Sequence, residues 1–295
     1  MKTPLKLTTM ALALFAAGSA QATPFTPDEV PAKANWFAHA DLDTLRGTKI
    51  GSQIVAKIED EHGAQLRAVK RMFSLNPVTD LQGITLWGTG EKDEGAVIIR
   101  GEFDPEHLTD LIAGAQDYES WEHEGTTIHT WRDEKKDEIQ FGSFPSSNVV
   151  VISGQKSFVI ETVDVFGGRA DALESGFESS ETVFALGVAN LEEMDVEGEE
   201  SQMLEKAKTL RLRLFEDSEQ MHAELTVEVL ENQHATRLKR VLEGIIALGE
   251  LSNDELAGMK LDSKVSVSDG TTVTASLSVP HDKMMKLLEL DKMFE

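Results

Sequence analysis

The 295-residue sequence contains no cysteine. That excludes disulfides, thiol catalysis, iron–sulfur clusters and cysteine-ligated zinc, and leaves the core alone to hold the fold. It has one tyrosine, and no apolar run approaches the ~18 residues that a membrane span requires. Positive charge is also scarce: 28 Lys and Arg face 52 Asp and Glu, for a formal net charge of −24. Such a surface repels nucleic acid and anionic headgroups and suits solubility, cations or a basic partner. The carboxylates run through the whole chain rather than forming a tail, as on a solvated surface. Complete catalytic signatures are missing too. There is no G-x-S-x-G elbow, H-E-x-x-H helix, phosphate loop or EF-hand, and the acidic stretch Asp195 to Glu200 lacks calcium-loop spacing.

What is present begins with an export signal. Lys2 and Lys6 make a basic start, Met10 to Ala17 (MALALFAA) an apolar stretch, and Ala20-Gln21-Ala22 a small-x-small cleavage pattern. The reading is a signal peptide over 1–22 and a mature chain from Thr23, delivered to the periplasm or the medium. With no membrane span and no cysteine to carry a lipid anchor, the mature protein is expected to be soluble.

Downstream, the patterns predict an α+β protein of two related halves, 23–169 and 183–295, joined by a polar connector, 170–182. Each half is expected to be an antiparallel sheet with helices packed on one side, the two abutting as lobes. Asn35 to Leu45 reads as a strand ending in helix-capping aspartates. A long helix follows, with a break at Gly63 and a stop before Pro77. Asp104-Pro105 starts another helix. Tyr118 to Arg132 forms a hairpin turning at Glu124-Gly125, with Trp121 opposite Ile128 and Tyr118 opposite Trp131. Gln155 to Phe166 is a helix stopped by Gly167-Gly168. In the second half Val183 to Asn190 repeats Trp36 to Asp43, and Glu231 starts a helix where Asp104 does.

The stretches AHADLDTLRGTKIG (Ala38 to Gly51), ITLWGTG (Ile84 to Gly90), IIRGEFD (Ile98 to Asp104), IHTW (Ile128 to Trp131) and VVVISG (Val149 to Gly154) resemble those of an uncharacterised group of exported bacterial proteins. The resemblance covers mainly the first half. It implies the fold and export, and it carries no activity and no catalytic residue.

Three sets of residues are candidates for chemistry. His39, Asp41 and Asp43 alternate along the first strand, so period two places an imidazole and two carboxylates on one face, a possible divalent-cation site and the basis of a cation-dependent hydrolase. The bland alternative is that Asp43 caps the next helix. Tyr118, Trp121 and Trp131 on the hairpin suit stacking against a glycan or small ligand, with core packing as the alternative. Ser153-Gly154-Gln155-Lys156 matches the short S-x-x-K pattern, and Ser278 is its counterpart in the second half, but helix capping explains both. His123 and His129 point to opposite faces in the hairpin register, which argues against zinc. Taken together, the sequence favours an exported, non-enzymatic binding or assembly protein without a resident cofactor, whose partner is a protein or other macromolecule.

Overall fold

The computed structural model describes residues 24–91, 93–135, 137–174, 183–194, 206–252 and 262–287. The expected signal peptide, most of the expected connector and Asp195 to Glu200 lie outside them. Twelve strands form one antiparallel sheet. In chain order they are β1 (Trp36–Asp41), β2 (Leu81–Gly88), β3 (Gly95–Gly101), β4 (Glu119–His123), β5 (Thr126–Asp133), β6 (Glu138–Ser146), β7 (Val149–Ser153), β8 (Val183–Asn190), β9 (Ala207–Glu216), β10 (Gln220–Val229), β11 (Asp262–Ser268) and β12 (Thr272–Pro280). The helices are α1 (Leu42–Gly47), α2 (Lys49–Phe73), α3 (Pro105–Ala113), α4 (Lys156–Phe166), α5 (Asn232–Ser252) and α6 (His281–Leu287).

The α+β class matches the sequence reading, but the expected abutting lobes are a single sheet. β1 pairs with β8, and from that ladder the order runs outward as β2-β3-β7-β6-β5-β4 on one side and β9-β10-β12-β11 on the other. The junction expected to be a groove is therefore a strand pair.

Local chemistry accounts for the element ends. Asp104 caps α3 by accepting the His107 N–H (3.1 Å), with Pro105 in the first turn, where no N–H is needed. The β4–β5 turn places Glu124 and Gly125 at φ 49° and 83°, the left-handed pair that a two-residue hairpin requires. Trp121 does lie opposite Ile128. The break expected at Gly63 in α2 falls one residue earlier, at His62, whose φ/ψ of −118°/15° leave the helical region.

Cross-strand partners in a ladder share a face. One row can thus be followed through all twelve strands: Trp121, Ile128, Ser143, Val151, Ile98, Thr85, His39, Leu186, Arg213, Glu224, Ser276, Lys264. On this near face the members from Ile128 to Leu186 are buried, under α4 and the stacked pair Phe25–Phe37. Beyond β8 the same face turns polar, and Arg213 pairs with Glu224 at 3.2 Å.

The neighbouring row on the far face does the reverse. It begins with Ser120 and His129 and then passes Gly142, Ile152, Val97, Leu86, Ala38, Gly187, Leu212, Leu225, Ala275 and Val265. Here α5 covers β10–β12, packing Ala235, Leu238 and Leu242 on Val227, Val273 and Leu225. In the middle of the row Leu86 and Leu212 stay 40% exposed. The sheet thus buries one face in its first part and the other in its second.

Asp41 closes β1 and opens α1. It is 1% exposed, and its oxygens accept the Thr44 N–H (2.8 Å) and hydroxyl (2.7 Å). Replacing Asp41 with Ala should cost about 2 kcal/mol by orphaning both donors, and Asp41→Asn should recover part of it. Urea unfolding of the three proteins measures this, and a loss below about 0.5 kcal/mol would remove the cap from the account.

Candidate functional site

The structure separates the three strand carboxylate and imidazole candidates. β1 ends at Asp41, so the alternation that was to bring Asp43 onto the same face stops two residues short. His39 is buried with its Nδ1 on the Thr85 hydroxyl at 2.8 Å, Asp41 is the helix cap, and Asp43 pairs with Arg46. The cap is Asp41 rather than Asp43. Among the described residues no group of three His, Asp or Glu side chains is arranged to hold a metal ion.

The hairpin aromatics divide as their register requires. Trp121 belongs to the near face, edge-on to Phe141 with the Lys156 ammonium 3.9 Å from its ring centroid. That contact also removes Lys156 from any role beside Ser153, whose hydroxyl donates to the Gly95 carbonyl (2.7 Å) and accepts the Gln155 N–H. His123 bonds Asp164 at 2.9 Å, on the side away from His129. Trp131 is on the far face and lies against Gly142.

Tyr118 lines a cavity. This space of about 430 Å³ sits on the far face, between Thr109 of α3, the β4–β5 turn and Phe144 of β6. Its walls are hydroxyls from Thr109, Ser120, Thr126 and Thr127, with the rings of Phe144 and His129. His129 is 4% exposed, and its Nδ1 is 3.1 Å from the Tyr118 hydroxyl. Phe144 meets the imidazole edge-on at 6.0 Å.

Burial of His129 lowers its pKa below the usual 6.5, against a smaller upward pull from Glu122. The ring is neutral at pH 7, and in the tautomer that lets the phenol donate to Nδ1 its proton is on Nε2. Among the described residues Nε2 has no hydrogen-bond partner. It is a donor available to whatever enters. The sequence reading placed His129 on the hairpin with the aromatics and weighed it as a zinc ligand. Its place was nevertheless implied, because pairing Trp121 with Ile128 also pairs Ser120 with His129.

A second polar row was not anticipated. Ser278 bonds His222 Nδ1 (2.8 Å), and His222 Nε2 bonds Asp217 (2.8 Å). The other Asp217 oxygen accepts the N–H groups of Glu219 and Gln220. Those two backbone bonds, then the His222 bond, hold the Asp217 pKa at about 2. Despite its Ser-His-Asp composition, this row has the geometry of a strand lock. The same cross-strand imidazole–hydroxyl bond joins His39 to Thr85 inside the core.

Neither a family model nor a curated protein matches the chain. Solved structures share its fold. Crystal form III of TP0453 aligns over 92% of this chain and 99% of its own, at 10% identity and a TM-score of 0.51. Crystal form IV aligns over 91% and 97%, at 8% identity and a TM-score of 0.50. At such identities the likeness concerns the path of the backbone.

The lowered pKa of His129 fixes the sign of a pH effect. Below about pH 6.5 the unfolded imidazole takes up a proton that the folded one refuses, so stability falls with pH until the folded pKa is passed. Urea unfolding at intervals from about pH 7.5 to 5 should show a decline that is shallower in His129→Gln. Identical slopes for the two proteins would contradict a desolvated ring.

Proposed function

We propose that this is an exported, non-enzymatic binding protein of the bacterial envelope or extracellular space, and that the Tyr118–His129 cavity takes a neutral, hydroxylated small ligand such as a saccharide. The observation that carries this reading is the lining. Four hydroxyl side chains, a phenol and an uncharged imidazole donor surround the space beside an aromatic wall, and no lining side chain is formally charged. A polyol presents alternating donors and acceptors and a C–H face for stacking, which those groups match. An anionic ligand would enter without a counter-ion and lose its hydration. The volume also lies within the range of small-ligand sites. The export half of the proposal rests on the basic, apolar and small-x-small segments of 1–22. We further read the mirrored strand order about β1–β8 as the remnant of a duplication in which only the first copy carries the β4–β5 hairpin and hence the cavity.

Titration of the protein with a panel of mono- and oligosaccharides, followed by heteronuclear NMR, tests the site. Binding at a Kd of about 1 mM or tighter should perturb the amides of Ser120, Thr127 and His129 first. Tyr118→Phe, which keeps the ring and removes the hydroxyl, should weaken it about tenfold, equivalent to ~1.4 kcal/mol. Perturbations elsewhere, or equal binding by the variant, would sink the assignment.

A further inference from the structure

A second cavity lies on the far face, at the end of β1 away from Asp41. Trp36 is opposite Gly88 of β2, and Gly88 is opposite Gly95 of β3. A Cβ on Gly88 would come within 2.7 Å of the Trp36 indole nitrogen, and one on Gly95 within 2.5 Å of the Trp87 carbonyl oxygen. Gly88 therefore makes room for the indole and Gly95 for the β2 backbone, and neither adds a side chain to fill the space beside them. That space measures about 330 Å³. Leu86, Val97 and Ile152, three consecutive members of the far-face row, form its apolar side, and Leu86 is 40% exposed. Glu91, Asp93 and Glu94, from the turn between β2 and β3, form its rim. No cationic side chain among the described residues lines it.

A half-buried tryptophan beside an exposed leucine leaves apolar surface in water, and removing it from water favours association. Three rim carboxylates in a chain of net charge −24 select the sign of what arrives. Their field accelerates the approach of cations and opposes that of anions. We infer that this cavity docks a basic peptide segment of another protein, with a large apolar side chain seated between Trp36, Leu86 and Ile152 and flanking Lys or Arg residues meeting Glu91, Asp93 and Glu94. The docking site is separate from the Tyr118–His129 cavity and does not depend on a ligand there. Either assignment can fail without the other.

The probe is a fluorescein-labelled peptide of about 12 residues in which two leucines are flanked by lysines, compared with an all-lysine/glycine peptide and with a version carrying Glu for Lys. Fluorescence anisotropy with the full chain should give saturable binding of the leucine–lysine peptide that weakens with salt, and little binding of the Glu version. Leu86→Ser leaves every charge in place and should weaken binding about tenfold. The double variant E91Q/D93N should mainly slow association and flatten the salt dependence. Circular dichroism of each variant checks that the fold is retained. Equal affinity for the all-lysine peptide, or no effect of Leu86→Ser, would mean diffuse attraction to an acidic surface and would overturn the assignment. A double variant with unchanged kinetics would overturn the role of the rim.

Discussion

The pairing of β1 with β8 is the constraint on which the rest of the molecule depends. Joining the two parts of the chain edge to edge gives every strand the same two faces, and each side chain's face then follows from its register. The buried apolar residues of β10 and β12 stand on the face opposite to those of β1 to β3 and β7. α4 and α5 must therefore pack on opposite sides. Where the change-over occurs neither helix covers the sheet fully, and Leu86 and Leu212 remain in contact with solvent on the far face. A uniform α-over-β layer would have buried them.

Both cavities follow from that arrangement. Each is on the far face of the first part, where α4 does not reach. Each also owes its space to local chemistry. The cavity at Tyr118 is bounded by a tight left-handed turn and by α3, and the cavity at Trp36 by two facing glycines. Their linings differ in the property that decides what enters: hydroxyls and a neutral imidazole in one, exposed apolar surface with carboxylates in the other. The buried face opposite holds its own polar groups in fixed bonds. Trp87 donates to Thr162 at 3.2 Å, and His39 bonds Thr85 at 2.8 Å, so those side chains are spent on the core.

Much of the architecture was legible in the sequence because it is written in short-range chemistry. Asp104-Pro105 fixed the start of α3, Gly167-Gly168 the end of α4, with Gly168 at φ 66°, and Glu124-Gly125 the hairpin register, each through a residue whose dihedrals or capping bond allow little else. What was not legible depends on pairings between distant residues. Alternation places His39, Asp41 and Asp43 on one face only while the strand lasts, and whether it lasts is decided by the Thr44 N–H, which Asp41 captures to begin α1. The apolar matches Leu186 and Val188 for His39 and Asp41 showed that the two parts bury differently. They could not show that the parts share one sheet, since β1–β8 hydrogen bonds are made by backbone groups that every residue carries. Tyr118 was singled out as an aromatic, whereas its structural significance comes from His129, eleven residues on and across one ladder.

The long helix α2 is held at both ends by different parts of the chain. At its start, Glu216 of β9 accepts the backbone N–H groups of Lys49 and Ile50, where a carboxylate also meets the positive end of the helix dipole. At its finish, the His107 imidazole of α3 donates to the Met72 carbonyl at 2.8 Å. α2 thus ties the two parts of the chain together, the second at its start and the first at its finish. Neither part is then an autonomous unit: isolating residues before the connector would strip α2 of its N-terminal acceptor and leave the whole hydrogen-bonding edge of β1 unpaired. The two parts are thus tied together by the β1–β8 ladder and by the contacts at the start of α2.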